Sequence, residues 1–538
     1  MASRLVRLGG AALAVALSGP IAAQAAEYYV DCSRPGESGS GLDETQAWTS
    51  LDPANDRTFR PGDSILLRRG TRCYGMLRPR GSGIPGNPIT LAAYGVGPRP
   101  VIDAGDLEAA IHLFNQSHWH VRSLETTGGN PFGILVSGDV QGVLEHFRII
   151  DVDVHDVRGV ADNKESGLIV VTPRSAETVF NDVIIDGATA HSTKQWAGIL
   201  IGGDDFGGTP NSPRTTNAVI RNSVVHDVYG DGIILFQVNG GLIESSVVHD
   251  TGRIPDRTVG TPNGIWTWMC GDCTVQFNEG YRTSSPWRDG GVFDIDFGCS
   301  SNTVQYNYGH DAEGYCVAIF AADGWTTFDS VVRYNICADN GRHAWRAKQG
   351  DIYVFTWDGG LIDGLEIYNN TIYWNPDEDA HAINLAADFT GDRRRIFKNN
   401  IVYSTVPGLV RVSVDSRIDL DHNVYWYSGL LRPTWQLGSE TLFDLAEWKQ
   451  RGHDAASLYA DPRLHDPSRR EARLPQKAFS PRRDSPAIDA GATIDRPSRR
   501  DYIGNPVPAG RATDIGALEQ HAERLRDRPA GPFHRDWR

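Results

Sequence analysis

The segment Trp287-Arg288-Asp289-Gly290-Gly291-Val292-Phe293-Asp294-Ile295-Asp296-Phe297 sets three carboxylic acids among bulky apolar side chains. In an extended chain alternate residues share a face. Burying Phe293, Ile295 and Phe297 therefore turns Asp294 and Asp296 outward together, with Cα atoms about 7 Å apart. The same alternation in Gly264-Ile265-Trp266-Thr267-Trp268 buries Ile265 and Thr267 and exposes Trp266 and Trp268. Aromatic faces beside acids suit sugar rings, so Trp266, Trp268 and Trp287 are the candidate sugar contacts. Cleaving a glycosidic bond by hydrolysis needs one carboxyl held protonated and another held ionised. Crowding like charges against aromatic surface separates their pKa values in that way. Asp289, Asp294 and Asp296 are the candidate acids. If Asp294 and Asp296 only perturb each other, Asp289 or Asp311 is the partner across the groove. The competing reading makes these acids surface turn residues or calcium ligands.

The next repeat carries His310-Asp311-Ala312-Glu313, which places His310 and Asp311 beside the same groove as candidate catalytic groups. Earlier His226-Asp227 and His249-Asp250 pairs show that the dipeptide recurs, and recurrence at corners also fits a structural imidazole. Glu279 and Arg282 lie on the approach to the site and are candidate substrate contacts. A lyase would instead need a base next to a uronic carboxylate and a cation to neutralise that carboxylate. Arg342-His343-Ala344-Trp345-Arg346-Ala347-Lys348 supplies the cations, Arg346 and Lys348 being those that would grip an anionic sugar. The three Asp would then hold calcium through oxygen. No zinc is assigned, because Cys270-Gly271-Asp272-Cys273 has no second Cys or His pair at matching distance. Hydrolysis requires no cofactor; only the lyase alternative brings in calcium.

These groups need a scaffold, and the chain shows one in its repeats. Short apolar runs close on Asn at Asn222, Asn278, Asn307, Asn335, Asn369-Asn370, Asn399-Asn400 and Asn423. With Ile243-Glu244-Ser245-Ser246 filling the gap after Asn222, their spacing of roughly 22 to 35 residues is that of solenoid coils. Asn tolerates a left-handed backbone and can ladder from coil to coil. Second strands opened by Gly232, Gly264, Gly291 and Gly314 lie between them. No helical period separates the strands, which excludes strand-helix-strand crossovers, and tight hairpin turns are missing, which argues against a sandwich or propeller. The expected fold is all-β, a parallel β-solenoid. The 58 Gly and 29 Pro in 538 residues exclude a helical bundle, and a net charge of −15 disfavours nucleic acid.

Tyr28-Tyr29-Val30-Asp31, Ala47-Trp48-Thr49-Ser50-Leu51, Arg60-Pro61-Gly62-Asp63 and Gly86-Asn87-Pro88-Ile89-Thr90 open the chain. Trp448, Ser457 to Pro462, Ser485 to Gly491 and Asp514 to Glu519 close it. This resembles secreted right-handed parallel β-helix (pectin-lyase-like) proteins over nearly the whole length. The resemblance implies a right-handed β-helix and a carbohydrate-active enzyme, either polysaccharide lyase or glycoside hydrolase.

Arg4 and Arg7 ahead of an apolar run, with Ala23-Gln24-Ala25 after it, read as an export signal over 1–25. Its removal takes away two cations and no acid, so −15 becomes −17. The expected organisation continues with a cap and first coils over 26–105, the catalytic β-helix over 106–430, C-terminal coils and cap over 431–520, with a short helix at 441–450, and a tail over 521–538. Seven cysteines suit an oxidising compartment and leave at least one unpaired, Cys270 and Cys273 forming either a local disulfide or buried thiols. The reading is therefore a secreted or periplasmic monomer, free of membrane, that hydrolyses a polysaccharide or oligosaccharide through paired carboxylates. Its alternatives are a calcium-dependent lyase and a non-catalytic carbohydrate-binding protein.

Overall fold

The computed structural model describes residues 25–203, 209–210, 212–254, 260–414, 416–468, 475–495 and 498–520. The expected export signal, but for Ala25, and the tail 521–538 lie outside the described residues. The strands stack coil upon coil into three parallel sheets of 15, 14 and 13 strands, here sheets 1, 2 and 3. One coil runs Thr215–Arg221 in sheet 1, Val224–Val228 in sheet 2 and Ile233–Phe236 in sheet 3. The chain is a right-handed parallel β-helix. Among the described strands the one antiparallel pair is Thr434–Leu437 with Glu440–Leu442, at the C-terminal end.

Sheet 3 carries the strands that matter for the site: β1 (Ile233–Phe236), β2 (Ile265–Trp268), β3 (Phe293–Ile295), β4 (Val317–Ala321), β5 (Ile352–Thr356), β6 (Ile383–Ala386) and β7 (Gly408–Val412). Ile233, Ile265, Phe293, Val317, Ile352, Ile383 and Val410 stand in one register row, all buried. Each such side chain contributes on the order of 1.5–3 kcal/mol. A hydrogen bond nets about 1 kcal/mol, so apolar burial drives the stacking, and polar ladders fix the register.

The ladder runs along the corner between sheets 1 and 2. The backbone N–H of Asn278 donates to Oδ1 of Asn307 at 2.9 Å, and Asn307, Asn335 and Asn370 each donate to the next Asn at 3.0 Å, ending with Asn400 on Asn423 at 2.9 Å. Ser246 and Ser223 continue it toward the N-terminus. Asn222 is not a rung: it sits at φ 52° and donates to Asp186. The left-handed residue is the one before each rung, Phe277, Tyr306 or Tyr334 among them. The rungs are therefore Asn for their amide, not for backbone tolerance.

Two cysteine pairs are bonded, Cys32–Cys73 and Cys316–Cys337. Cys270, Cys273 and Cys299 are buried free thiols, so the alternative of a local Cys270–Cys273 disulfide is not the one formed. The expected helix at 441–450 is shorter, Leu445–Gln450, because Asp444 caps it by accepting from Glu447 N–H at 2.8 Å and Glu447 accepts from Phe443 N–H at 2.7 Å. The end of the coil stack is closed around Asp454, which accepts from Trp448 Nε1 at 2.7 Å and Asn423 Nδ2 at 3.0 Å. The segment after it turns back along the solenoid: Asn369 donates to the carbonyls of Asp514 and Gly516, and Phe479 lies against Tyr308 and Tyr373.

Replacing the central rung, Asn335→Ala, leaves a buried backbone N–H at position 307 without its acceptor and should lower unfolding free energy by about 1–3 kcal/mol. Urea denaturation would show it as a drop in midpoint with an unchanged slope; an unchanged midpoint would mean that the ladder contributes nothing to stability.

Candidate active site

Parallel register carries the outward row across sheet 3 as it carries the inward one. Ile234, Trp266, Asp294, Ala318, Tyr353, Asn384 and Arg411 are register neighbours on β1 to β7. Trp266 thus lies beside Asp294, but it is 2% exposed and packed among Trp196, Ile234 and Phe236, so it is not the exposed sugar contact expected. Trp268, half-buried at the end of the strand, is the tryptophan of β2 left at the surface. Asp296 follows at the end of β3, where its N–H donates to the Thr267 carbonyl at 2.9 Å. Phe297 departs from the expected alternation. β3 stops at Ile295, and the Phe297 ring turns out to meet Trp268 at 5.6 Å and Trp357 at 6.1 Å. Buried Phe236 meets Trp268 on one side, and beyond Phe297 the rings of Phe320, Tyr353, Phe355 and Trp357 pack edge-on or stacked on one another.

The carboxyls differ in exposure. Asp294 is 1% exposed, whereas Asp289 and Asp296 are half-buried at the groove. Asp289 occupies a left-handed turn, φ 61°, ahead of Gly290, a conformation that Asp tolerates better than most residues. Gly291 is required next. A Cβ there would fall 2.0 Å from the Tyr315 ring, which packs across it.

Asn263 ties these pieces together. Its Nδ2 donates to Asp294 Oδ2 at 3.2 Å, and its Oδ1 accepts from Tyr315 OH at 2.9 Å and Gly291 N–H at 3.1 Å. Its backbone N–H donates at 2.6 Å to Asp231, a wholly buried carboxylate that also accepts from the Trp196 indole. Lys164 is the cation of the cluster, with Nζ 4.6 Å from the Trp266 ring and 5.3 Å from that of Trp196.

Burial is the main cause of every carboxyl shift here. It pushes Asp231 and Asp289 up to about 6 and Asp296 up to about 7, against the lowering pull of Lys164 on each and of the Phe297 N–H on Asp296. Asp294 is raised well above the ordinary carboxylate range by burial and then by the charges of Asp296 and Asp289. Its Oδ1 has no hydrogen-bond partner among the described residues, as suits a neutral carboxyl.

Several expected site residues lie elsewhere. His310, Asp311, Glu279 and Arg282 do not reach this groove, because their strands belong to sheet 2. His310 is 3% exposed, bonded through Nδ1 to Asp311 at 2.9 Å and through Nε2 to Glu279 at 3.1 Å. It ends a stacked column of His155, His191, His226, His249 and Tyr281 with ring spacings of 4.8–5.2 Å. Arg282 pairs with Asp250. Arg346 is buried and pairs with Glu313 at 2.9 Å, which removes it from the groove as a free cation. Trp287 is 50% exposed at the rim, and Lys348 is exposed. Sequence reasoning passed over Asp231, Asn263, Lys164 and Tyr315. The available signal was the repeated Asp231-Gly232 and Asn263-Gly264 pairs ahead of β1 and β2.

No family model matches the chain. A lacto-N-biosidase of Bifidobacterium longum subsp. longum is 24% identical to it, the match covering 91% of this chain and 36% of that protein, so the chain spans about a third of that relative's length. Among solved structures, a native GH136 lacto-N-biosidase from Eubacterium ramulus is similar at 20% identity and a TM-score of 0.51, over 77% of this chain and 68% of that chain. The second likeness concerns the fold.

Asn263→Ala removes three hydrogen bonds that hold Asp294, Gly291 and Tyr315 in place. Thermal melting should fall by only a few degrees while turnover on any cleaved glycoside falls at least about tenfold, a loss of 1.4 kcal/mol in the barrier. Full turnover with a lowered melting temperature would make Asn263 a purely structural residue.

Proposed function

We propose that this chain is a glycoside hydrolase of oligosaccharides or polysaccharides, with Asp296 as general acid and Asp289 as base or nucleophile. One observation carries the reading: two half-buried carboxyls, raised by burial to about 7 at Asp296 and about 6 at Asp289, stand beside the aromatic side chains of sheet 3. Between about pH 6 and 7 the first is mostly protonated, and the departing sugar oxygen needs that proton. The second is ionised, as attack on or activation of water at the anomeric carbon requires. Asp294 lies too deep to touch substrate. Burial and the neighbouring charges of Asp296 and Asp289 keep it protonated, so it adds no charge beside Asp296. Trp268 and Phe297 supply faces for the sugar rings, and Trp287 a rim contact. The printed name of the Bifidobacterium relative supports hydrolysis of an oligosaccharide.

The described residues contain no helix long and apolar enough to cross a membrane. The reading keeps an exported monomer that acts on soluble sugar, without a required cofactor. Purified protein incubated with neutral and uronic polysaccharides, with calcium and with chelator, should release reducing ends without unsaturated products. Unsaturated ends that vanish with chelator would make the acids metal ligands of a lyase, and retention without cleavage would make the groove a binding surface.

The pH dependence follows from the two groups. Asp289 must be ionised, so kcat/KM falls as pH drops through about 6. Asp296 must be protonated, so kcat/KM falls as pH rises through about 7. A narrow bell is expected, and a profile flat across that range would refute the assignment. Asp296→Asn should lower kcat by about 100- to 10,000-fold on natural glycosides and far less on aryl glycosides whose leaving group needs no proton. Asp289→Asn should abolish both. Equal losses for the two variants on both substrate types would leave the roles unassigned to these residues and count against the pair.

A further inference from the structure

Beyond the carboxylates the outward row of sheet 3 changes character. After Asp294 and Ala318 come Tyr353, Asn384 and Arg411, on β5, β6 and β7. Strands in a sheet are about 4.8 Å apart, so Tyr353 lies about 10 Å and Arg411 about 19 Å along the groove from Asp294. Tyr353 presents a half-buried ring continuous with Phe320 and Phe355.

Asn384 is 4% exposed. Its Nδ2 donates to the Lys348 carbonyl at 3.3 Å, but its Oδ1 has no partner among the described residues. Nor has Nε2 of His381, which burial and the charge of Arg411 keep neutral by lowering its pKa to about 4. A buried, unmet acceptor costs about 1–3 kcal/mol. An unmet acceptor on a side chain this deeply buried, one strand along the row from the Tyr353 ring, marks a place built for a ligand that donates a hydrogen bond.

Arg411 and Lys348 are exposed, and neither has an ion-pair partner among the described residues. This contrasts with Arg282, Arg342, Arg346 and Arg393, which all pair with acids. In a chain of net charge −15, two unneutralised cations at one end of a groove whose other end is carboxylate give that groove a direction.

We propose that Tyr353, Asn384 and Arg411, with Lys348 at the edge, form a subsite for a sugar residue that bears an anionic substituent, a carboxylate or a sulfate. The sugar ring lies on Tyr353, a hydroxyl donates to Asn384 Oδ1, and the anion meets the Arg411 guanidinium in the bidentate geometry that suits it. The acids at the other end repel the same anion, so an acidic oligosaccharide enters in one orientation. The inference rests on the hydrolase reading for which bond is cut, but not for binding.

The test uses full-length Asp296→Asn protein on an array of matched neutral, carboxylate-bearing and sulfated oligosaccharides. At least one class of anionic glycan should bind about tenfold or more tightly than its neutral counterpart, and the sulfated and carboxylate arms identify which anion. The preference should disappear in Arg411→Gln/Lys348→Gln, whose melting temperature is unchanged because both side chains are exposed. It should also disappear in about 1 M salt, where charges more than about 3 Å apart are screened. Equal binding of anionic and neutral glycans, or a preference that survives the double substitution, overturns the subsite. The two readings fail separately. Intact turnover in Asp296→Asn removes the hydrolase assignment and leaves the array result standing. Loss of turnover with no anionic preference removes the subsite alone.

Discussion

Parallel register is the constraint on which this molecule depends. Each coil must lay its apolar residues on those of the coil before, as Ile233, Ile265, Phe293 and Val317 do, or the core opens along its whole length. A slip of one residue would exchange the inner and outer rows. The Asn ladder at the corner between sheets 1 and 2 opposes that slip, because the side-chain oxygen of each rung accepts from one backbone N–H of the preceding coil. A surface feature on this scaffold is therefore as exact as the core beneath it. Asp294 stands beside Trp266 because Phe293 is buried beside Ile265.

The same mechanism explains how one chain uses similar residues for opposite ends. On sheet 2 the stacked His155, His191, His226 and His249 form a column in which Asp156, Asp227 and Asp250 each hold a ring nitrogen of His155, His226 and His249. On sheet 3 the acids are crowded, under-bonded and packed on aromatic rings, and their protons are correspondingly hard to remove. Satisfied polar groups stabilise a fold, whereas strained ones store the free energy that a reaction draws on. The burial of Asp294 and Asp231 is tolerable because Asn263, Trp196 and Lys164 share the load.

The structure also gives the groove two ends. Toward β1 it is walled by Trp268, backed by the buried rings of Phe236 and Trp266, and toward β7 it becomes polar and cationic. Aromatic faces bind sugar rings with little regard to their substituents, so the carboxyl end supplies chemistry and the far end supplies discrimination.

The sequence by itself determined the solenoid, the outward pairing of Asp294 and Asp296 and their place beside Trp266, because all of these follow from a period of two and from repeats visible in one chain. It carried the Asn corners too, though not which residue of each corner takes the left-handed turn. Tertiary structure alone decided which sheet each repeat faces: His310 and Asp311 read as neighbours of the acids, yet the Asn307 corner puts them on sheet 2, and the chain reaches sheet 3 only after Asp311. It also decided depth. Alternation says that a side chain points outward, but only the packing of Tyr315 over Gly291 and of Asn263 against Asp294 shows that Asp294 is sealed while Asp289 and Asp296 stay open. Asp231 and Lys164, far apart along the chain, join the site through contacts between coils, and no local pattern encodes a contact between residues so distant in sequence.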